Sequence, residues 1–146
     1  MNVCTATSDD REVVLELAAE FHEFAGYSFN ASVQQAVEEL AARHRWGVIL
    51  LADQNDQSVG YGAVCYGFSV EFGGRDAFID ELYVRPSARG RGVGRALLEE
   101  MIGHCRVQGI RAVHLEVDHG NGRAAALYER LGFERQDSAI MTIELD

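Results

Sequence analysis

Hydrophobic positions recur along the chain with two different periods, and the change of period marks the predicted elements. Residues 2–6 read as a short strand, and Thr7 or Ser8 caps a helix that extends to about residue 25. Four apolar side chains share one face of this helix: Val14, Leu17, Phe21 and Phe24. After the break GYSFN, helical spacing resumes and predicts a second helix over 31–45.

The middle of the chain changes to a strand pattern and then alternates helices with strands. Strands are predicted over 47–53, 59–68 and 76–84, with a hairpin at the turn QNDQ. They are followed by a helix over 93–108, a strand over 112–118, a helix over 121–131 and a terminal strand or hairpin over 133–145. The order β–α–α–β–β–β–α–β–α–β predicts a mixed α/β sheet in one domain, 1–146. Only its later strand–helix–strand steps imply parallel pairing.

Composition restricts the partners. With 23 acidic and 13 basic residues the formal net charge is −10, which disfavours nucleic acids and anionic membranes but suits a cationic small molecule. No apolar run is long enough to span a bilayer and no signal peptide is recognisable, so a cytoplasmic protein is expected. Three cysteines without CxxC spacing predict neither a disulfide framework nor a zinc site.

Positive charge is nevertheless concentrated in one segment, RPSARGRGVGRALL (85–98), between a predicted strand and a predicted helix. Glycines let a backbone approach a ligand, and the first N–H groups of a helix have no internal partner. Together with the helix dipole and the flanking guanidinium groups, they predict a phosphate or pyrophosphate site. The alternative is a surface loop with solvated arginines. The P-loop pattern is absent, and the dinucleotide fingerprint is out of phase.

The segment 89–94, RGRGVG, resembles the R/Q-x-x-G-x-G/A pyrophosphate motif of the GNAT superfamily of acyl-CoA-dependent N-acetyltransferases. A second motif of that family appears at Asn121-Gly122-Arg123-Ala124, followed by Tyr128 and LGF at 131–133. The order of elements matches as well, so the resemblance covers essentially the whole chain. It implies a sheet opened in a V between strands 76–84 and 112–118, with acetyl-CoA as co-substrate in the cleft and no metal.

The resemblance also implies roles for individual residues. Backbone groups of Leu82, Tyr83 and Val84 would pair with the pantetheine arm like an added strand. N–H groups of the turn would hold the pyrophosphate, from Arg89, Gly90, Arg91, Gly92, Val93, Gly94 and Arg95. Asn121 and Ala124 would contact the cofactor, and Tyr128 would protonate the departing thiolate. A phenol can perform this step, although a packed core tyrosine is the alternative interpretation.

Acetyl transfer to an amine also needs a group that accepts the amine's proton, and two adjacent carboxylates are candidates. Because neighbouring strand residues face opposite sides, Asp80 should lie with Phe78 and Leu82, and Glu81 with Ile79 and Tyr83. Polyamine- and aminoglycoside-acetylating relatives resemble this chain in a carboxylate at Asp80, which is therefore preferred.

Further residues are candidates for acceptor binding. Tyr27 and Phe29 stand at the helix break, and Glu116 is a minor candidate in the strand HLEVD. Alternate residues of that strand, such as His114 and Glu116, are too far apart for a simple metal site.

The expected function is acetylation of a primary amine on a small cationic acceptor, polyamine-like or aminoglycoside-like, by direct attack in a ternary complex. The alternatives are a non-catalytic acyl-CoA sensor, or acetylation of amino acids or protein N-termini. A homodimer is expected among the partners, with the oligomeric state left open.

Overall fold

The computed structural model describes all residues, 1–146. They form two compact units, Met1–Leu115 and Glu116–Asp146. The first contains β1 (Asn2–Thr5), α1 (Arg11–Ala25), α2 (Ala31–Ala42), β2 (Gly47–Gln54), β3 (Gln57–Ser69), β4 (Gly74–Val84), α3 (Val93–Val107) and β5 (Ala112–His114). The second contains α4 (Gly122–Arg130). None of these helices has both the length and the apolar composition needed to cross a membrane.

The sheet follows the order of the chain, β1-β2-β3-β4-β5. The first four strands are antiparallel, and β4 and β5 form the parallel pair, which confirms the predicted mixed sheet. The parallel pairing is limited to Asp76–Phe78 of β4 against Ala112–His114 of β5. Beyond Phe78, β4 therefore pairs only with β3, and its other edge is open as the predicted V requires.

Strand β4 contains a bulge at Asp80. Ala63 pairs with Glu81 and its neighbour Val64 pairs with Ile79, so Asp80 has no partner on β3. Residues opposite each other in a ladder share a face, which puts Glu81 and Ile79 on opposite faces of the sheet. The prediction that these two side chains lie together was wrong, because simple alternation does not allow for an inserted residue.

Helices cover both faces of the sheet. Helices α1 and α2 supply Val14, Leu17 and Val37 to a buried cluster that includes Tyr61 of β3 and Tyr83 of β4. On the opposite face α3 contributes a buried stripe: Val93, Leu97, Leu98, Met101 and Cys105. Glu81 therefore lies on the α1 face of the sheet, and the glycine–arginine turn leads into the helix on the other face.

Local chemistry explains the ends of the elements. Thr7 makes a capping box with Asp10 at the 3-10 turn that precedes α1, and Gly26 ends that helix in the left-handed conformation with φ 76°. Asn30 caps α2 through a hydrogen bond from Val33 N–H. Asn55 and Asp56 form the predicted hairpin turn with φ values of 51° and 62°.

Three expectations about the elements were wrong. Strand β5 ends at His114 instead of 118, and the terminal strand over 133–145 is not formed, since no neighbouring strand supplies its hydrogen bonds. The side chains of Ile140, Met141 and Ile143 are exposed accordingly. Phe24 is 68% exposed although it is in phase with Leu17, because it lies in the last turn of α1, which ends at Ala25.

Candidate active site

The glycine–arginine turn presents backbone to solvent. Gly90 and Gly92 have φ values of 77° and 81°, a left-handed conformation that favours glycine, and added methyl groups there would meet no other atom within 4 Å. The first helical hydrogen bond of α3 runs from Ala96 N–H to Gly92 O at 3.0 Å. The N–H groups of Val93, Gly94 and Arg95 therefore precede the helical ladder and are free to bind an anion.

The first arginine of the segment has a structural partner. Arg85 donates hydrogen bonds to the carboxylate of Glu20 from Nε at 3.1 Å and Nη2 at 2.9 Å, and to Glu16 at 2.9 Å. The hydrogen bond to Glu20 is the main cause that raises the pKa of Arg85 further. Because Glu16 and Glu20 belong to α1, Arg85 ties the end of β4 to that helix instead of serving the turn.

The other arginines of the segment differ in how many contacts their side chains make with the protein. Arg89 donates to Val84 O at 2.8 Å, and its guanidinium lies 4.9 Å from the ring centroid of Phe24. Arg95 pairs with Glu99 at 2.8 Å on the exposed side of α3, and Arg91 is exposed. Positive charge in the turn thus comes mainly from Arg89 and Arg91, together with the helix N-terminus.

Glu81 has a hydrogen-bond partner at each of its two carboxylate oxygens. Tyr61 O–H donates to its Oε1 at 2.8 Å, and His22 Nε2 lies 2.5 Å from its Oε2. Its side chain retains 14% exposure, enough for one edge to reach solvent. Burial, followed by the charge of Glu81, raises the pKa of the Tyr61 phenol, which therefore stays protonated and acts as a donor.

The structure adds His22, which the sequence predictions did not include. This buried histidine of α1 has Nδ1 3.0 Å from Ser28 O, and the rings of Phe29 and Tyr27 lie 5.3 Å and 5.8 Å from its own. The sequence contains a pattern that could have indicated His22. His22 follows Val14 and Ala18 at intervals of four, so a polar residue occupies the buried stripe of the helix.

Asp80, the preferred base in the sequence analysis, is exposed and makes no hydrogen bond. It nevertheless lies close enough to Cys65 to affect that thiol. Burial first, then the charges of Asp80 and Glu81, raise the pKa of Cys65 to about 11. The two carboxylates therefore produce a negative field around Cys65, with Glu81 held by hydrogen bonds and Asp80 exposed.

The two aromatic candidates for acceptor binding differ in exposure. Phe29 packs partly buried against the core, whereas Tyr27 is 58% exposed. Both flank His22. Tyr27 is thus the one that could contact a second molecule.

The unit Glu116–Asp146 carries the remaining candidates. Asn121 caps α4, its Oδ1 accepting a hydrogen bond from Ala124 N–H at 3.2 Å, which leaves its NH₂ group free for a ligand. The Tyr128 ring packs edge-on against Phe133, with centroids 6.1 Å apart. Burial and then the carboxylate of Asp118 raise the pKa of Tyr128, so its phenol keeps a proton to donate. Glu116 is exposed.

A family model described as the acetyltransferase (GNAT) family matches residues 12–133 of the chain. The chain belongs to the GNAT family of acetyltransferases. The fold and the enzyme class expected from its two sequence motifs are confirmed.

Individual relatives and a solved structure are similar to this GNAT protein over much of its length. YhfO of Bacillus subtilis (strain 168), an uncharacterized N-acetyltransferase, is 30% identical over 136 residues, 92% of this chain and 90% of YhfO. An L-methionine sulfoximine/L-methionine sulfone acetyltransferase of Pseudomonas aeruginosa is 32% identical over 102 residues, 69% of this chain but 58% of the relative. An integron cassette protein from a salt-marsh metagenome has a similar solved structure, with a TM-score of 0.87 at 33% identity, covering 99% of this chain and 90% of that one.

Proposed function

We propose that this GNAT N-acetyltransferase moves an acetyl group from acetyl-CoA to a primary amine of a small, cationic acceptor, by direct attack in a ternary complex. One observation carries the proposal. Glu81 is a carboxylate with both oxygens hydrogen-bonded and one edge open to solvent. It lies on β4 of a chain that belongs to the GNAT family of acetyltransferases. Such a group can accept the proton that an ammonium must lose before the nitrogen can attack.

The residues of β4 and α3 fit acetyl-CoA, which supplies the activated acetyl thioester when bound. The edge of β4 at Leu82, Tyr83 and Val84 has no partner strand and can hydrogen-bond an extended amide chain as an additional strand would, beside the Arg89 side chain that donates to Val84 O. Backbone N–H groups from Gly92 to Arg95 can hold phosphate oxygens, with Arg89 and Arg91 adding charge. Tyr128 is proposed to donate its proton to the departing sulfur.

Charge supports a cationic acceptor. Asp80 and Glu81 are neighbours on a chain with a net charge of −10, and the exposed ring of Tyr27 lies beside His22, the partner of Glu81. An aromatic face beside carboxylates suits an ammonium group. The relative that acetylates L-methionine sulfone favours a second class, α-amino acids, whose amine would use the same base.

The test is an acceptor panel with acetyl-CoA, followed as release of free thiol, that contains diamines, polyamines, an aminoglycoside, L-methionine sulfone and an N-terminal peptide. The wild type is expected to turn over a diamine or polyamine. Glu81→Gln should lose at least about a hundredfold in kcat, whereas Asp80→Asn should chiefly raise KM for the acceptor.

Several results would contradict the proposal. Equal losses of kcat in Glu81→Gln and Asp80→Asn would show that Glu81 is not the specific base. Turnover of L-methionine sulfone alone would show that the acceptors are α-amino acids instead of cationic amines. Binding of acetyl-CoA without turnover of any amine would leave a sensor.

A further inference from the structure

The environment of His22 determines where its protons lie. A backbone carbonyl has no hydrogen to give, so the contact at 3.0 Å between Nδ1 and Ser28 O requires a proton on Nδ1. That proton is held by the chain segment that follows α1. Nε2 is therefore the ring nitrogen at which His22 can gain or lose a proton.

The partner of Nε2 is Glu81 Oε2 at 2.5 Å, a distance at which two lone pairs would repel each other. One proton must lie between the two atoms. The other oxygen, Oε1, already accepts the hydrogen of Tyr61 at 2.8 Å, and the raised pKa of that phenol keeps it as donor. The proton between His22 and Glu81 is thus the exchangeable one in this cluster.

Two cations, Arg85 and Arg89, lie beside Tyr83 at the margin of this cluster. The titratable groups around His22 and Glu81 are the carboxylate of Asp80, the thiol of Cys65 and phenols from three segments of the chain: Tyr27, Tyr61 and Tyr83. Burial raises the pKa of the Tyr61 phenol and of the Cys65 thiol, so neither of these two groups adds charge to the cluster. The aromatic rings of Phe21 and Phe29 exclude water from the ring of His22.

From this geometry we infer that His22 is a positioning residue of the acetyl transfer, and that His22 and Glu81 accept the acceptor's proton as a single unit. The inference rests on the proposed function. The short contact between Nε2 and Oε2 is that of the loaded unit, so the unit accepts a proton from the acceptor only after the proton between these two atoms has left.

The proton passes from the acceptor to the unit and then to solvent. The N–H bond of the ammonium breaks as an O–H bond forms on Glu81, and that O–H bond then breaks as an Nε2–H bond forms on His22. The unit then holds an imidazolium beside a carboxylate, with the short contact that the structure shows. The proton leaves to solvent through the exposed edge of Glu81 before the next turnover.

The test compares the pH dependence of kcat at saturating substrates for the wild type and His22→Gln. A glutamine can still donate a hydrogen bond to Glu81 but cannot take up a proton. We expect kcat to fall at least about tenfold at the pH optimum, with its acid limb displaced to lower pH, because a lone carboxylate replaces the unit. KM for acetyl-CoA should stay unchanged.

His104→Gln is the matched control. His104 also makes a short contact, 2.6 Å to the Tyr66 hydroxyl, but lies on α3 at the opposite face of the sheet, so its profile should follow the wild type. A parallel change of kcat at all pH values in His22→Gln, without displacement of the acid limb, would overturn the inference.

A second measurement does not depend on turnover. In the ¹⁵N spectrum of histidine-labelled protein, recorded at a pH below the acid limb of kcat, one imidazole should carry protons on both nitrogens, and the signal should be missing in His22→Gln. In Glu81→Gln the same imidazole should lose its Nε2 proton at that pH. Persistence of the doubly protonated ring in Glu81→Gln would contradict the unit. If the wild type acetylates no amine, the proposed function fails while this measurement still decides the proton position.

Discussion

Gly62 of β3 and Met101 of α3 pack so closely that a methyl group on Gly62 would lie within 2.7 Å of Met101 Cε and against its sulfur. Met101 is completely buried, so its side chain has no solvent to move into. The helix that carries the glycine–arginine turn at its start therefore approaches the sheet at a point where β3 has no side chain. The position of α3 depends on this missing atom.

Gly62→Ala is expected to destabilise the protein by about 1–3 kcal/mol, because overpacking forces a buried side chain out of its rotamer. Urea unfolding measures the change. Met101→Ala removes the obstructing atoms, so the double variant should be more stable than the sum of the two single effects predicts.

Gly103→Ala provides the control for the Gly62 prediction. Gly103 lies in the interior of α3, where an added methyl group meets no atom within 4 Å. The same chemical change should there stabilise the protein by about 0.5–1 kcal/mol through helix propensity. Destabilisation of similar size at both positions would show that the contact with Met101 is not the cause.

Gly92→Asp is expected to abolish the rise in melting temperature that acetyl-CoA gives to the wild type. A β-carboxylate at the start of α3 places negative charge and bulk where phosphate oxygens would bind, and the stabilisation by a ligand disappears with its affinity. Thermal unfolding at several acetyl-CoA concentrations measures the effect.

Gly109→Asp controls for backbone strain. Gly109 has φ 75°, close to the 81° of Gly92, and also faces open space, but it follows the C-terminal end of α3. Both variants should melt at lower temperature than the wild type, and Gly109→Asp alone should keep the response to acetyl-CoA. Retention of the response in Gly92→Asp would place the phosphates elsewhere.

Tyr128→Phe is expected to lower kcat about a hundredfold while the stabilisation by acetyl-CoA persists, since only the phenolic proton is lost. An acid acts in its protonated form, so its contribution is present below its pKa and lost above it. Because the pKa of Tyr128 is raised, the alkaline decline of kcat should begin above pH ~10, the ordinary range of tyrosine.

Tyr66→Phe is the control for Tyr128. It removes a phenol that bonds His104 on the α3 face and should leave the pH profile unchanged. Loss of acetyl-CoA stabilisation in Tyr128→Phe would instead assign the phenol to binding.

Periodicity and turn chemistry predicted the helices, the meander and the parallel step, because each of these depends on neighbouring residues. The hairpin at Asn55-Asp56 and the cap at Asn121 are such local features. The bulge at Asp80 was not predictable by alternation, since its cause is the pairing with a strand distant in sequence. The terminal strand was predicted from its pattern, but a strand also needs a partner, and a pattern does not supply one.

The candidate site also has a part that the sequence predicts and a part that depends on contacts between distant residues. The glycine–arginine turn is contiguous and could be recognised from its letters, whereas the contact between His22 and Glu81 joins residues 59 positions apart. Arg85 shows the opposite difficulty. It stands in the arginine-rich segment, yet its charge is used by Glu16 and Glu20 of α1.

The irregularity at Asp80 has a simple genetic description. Ala63 and Val64 are consecutive, and their partners Glu81 and Ile79 would be consecutive too if Asp80 were deleted. Both halves of the ladder would keep their pairs, and every side chain would keep its face of the sheet. Insertion or loss of a single codon is therefore enough to create or remove this break in the sheet, while the core on either side keeps its residues.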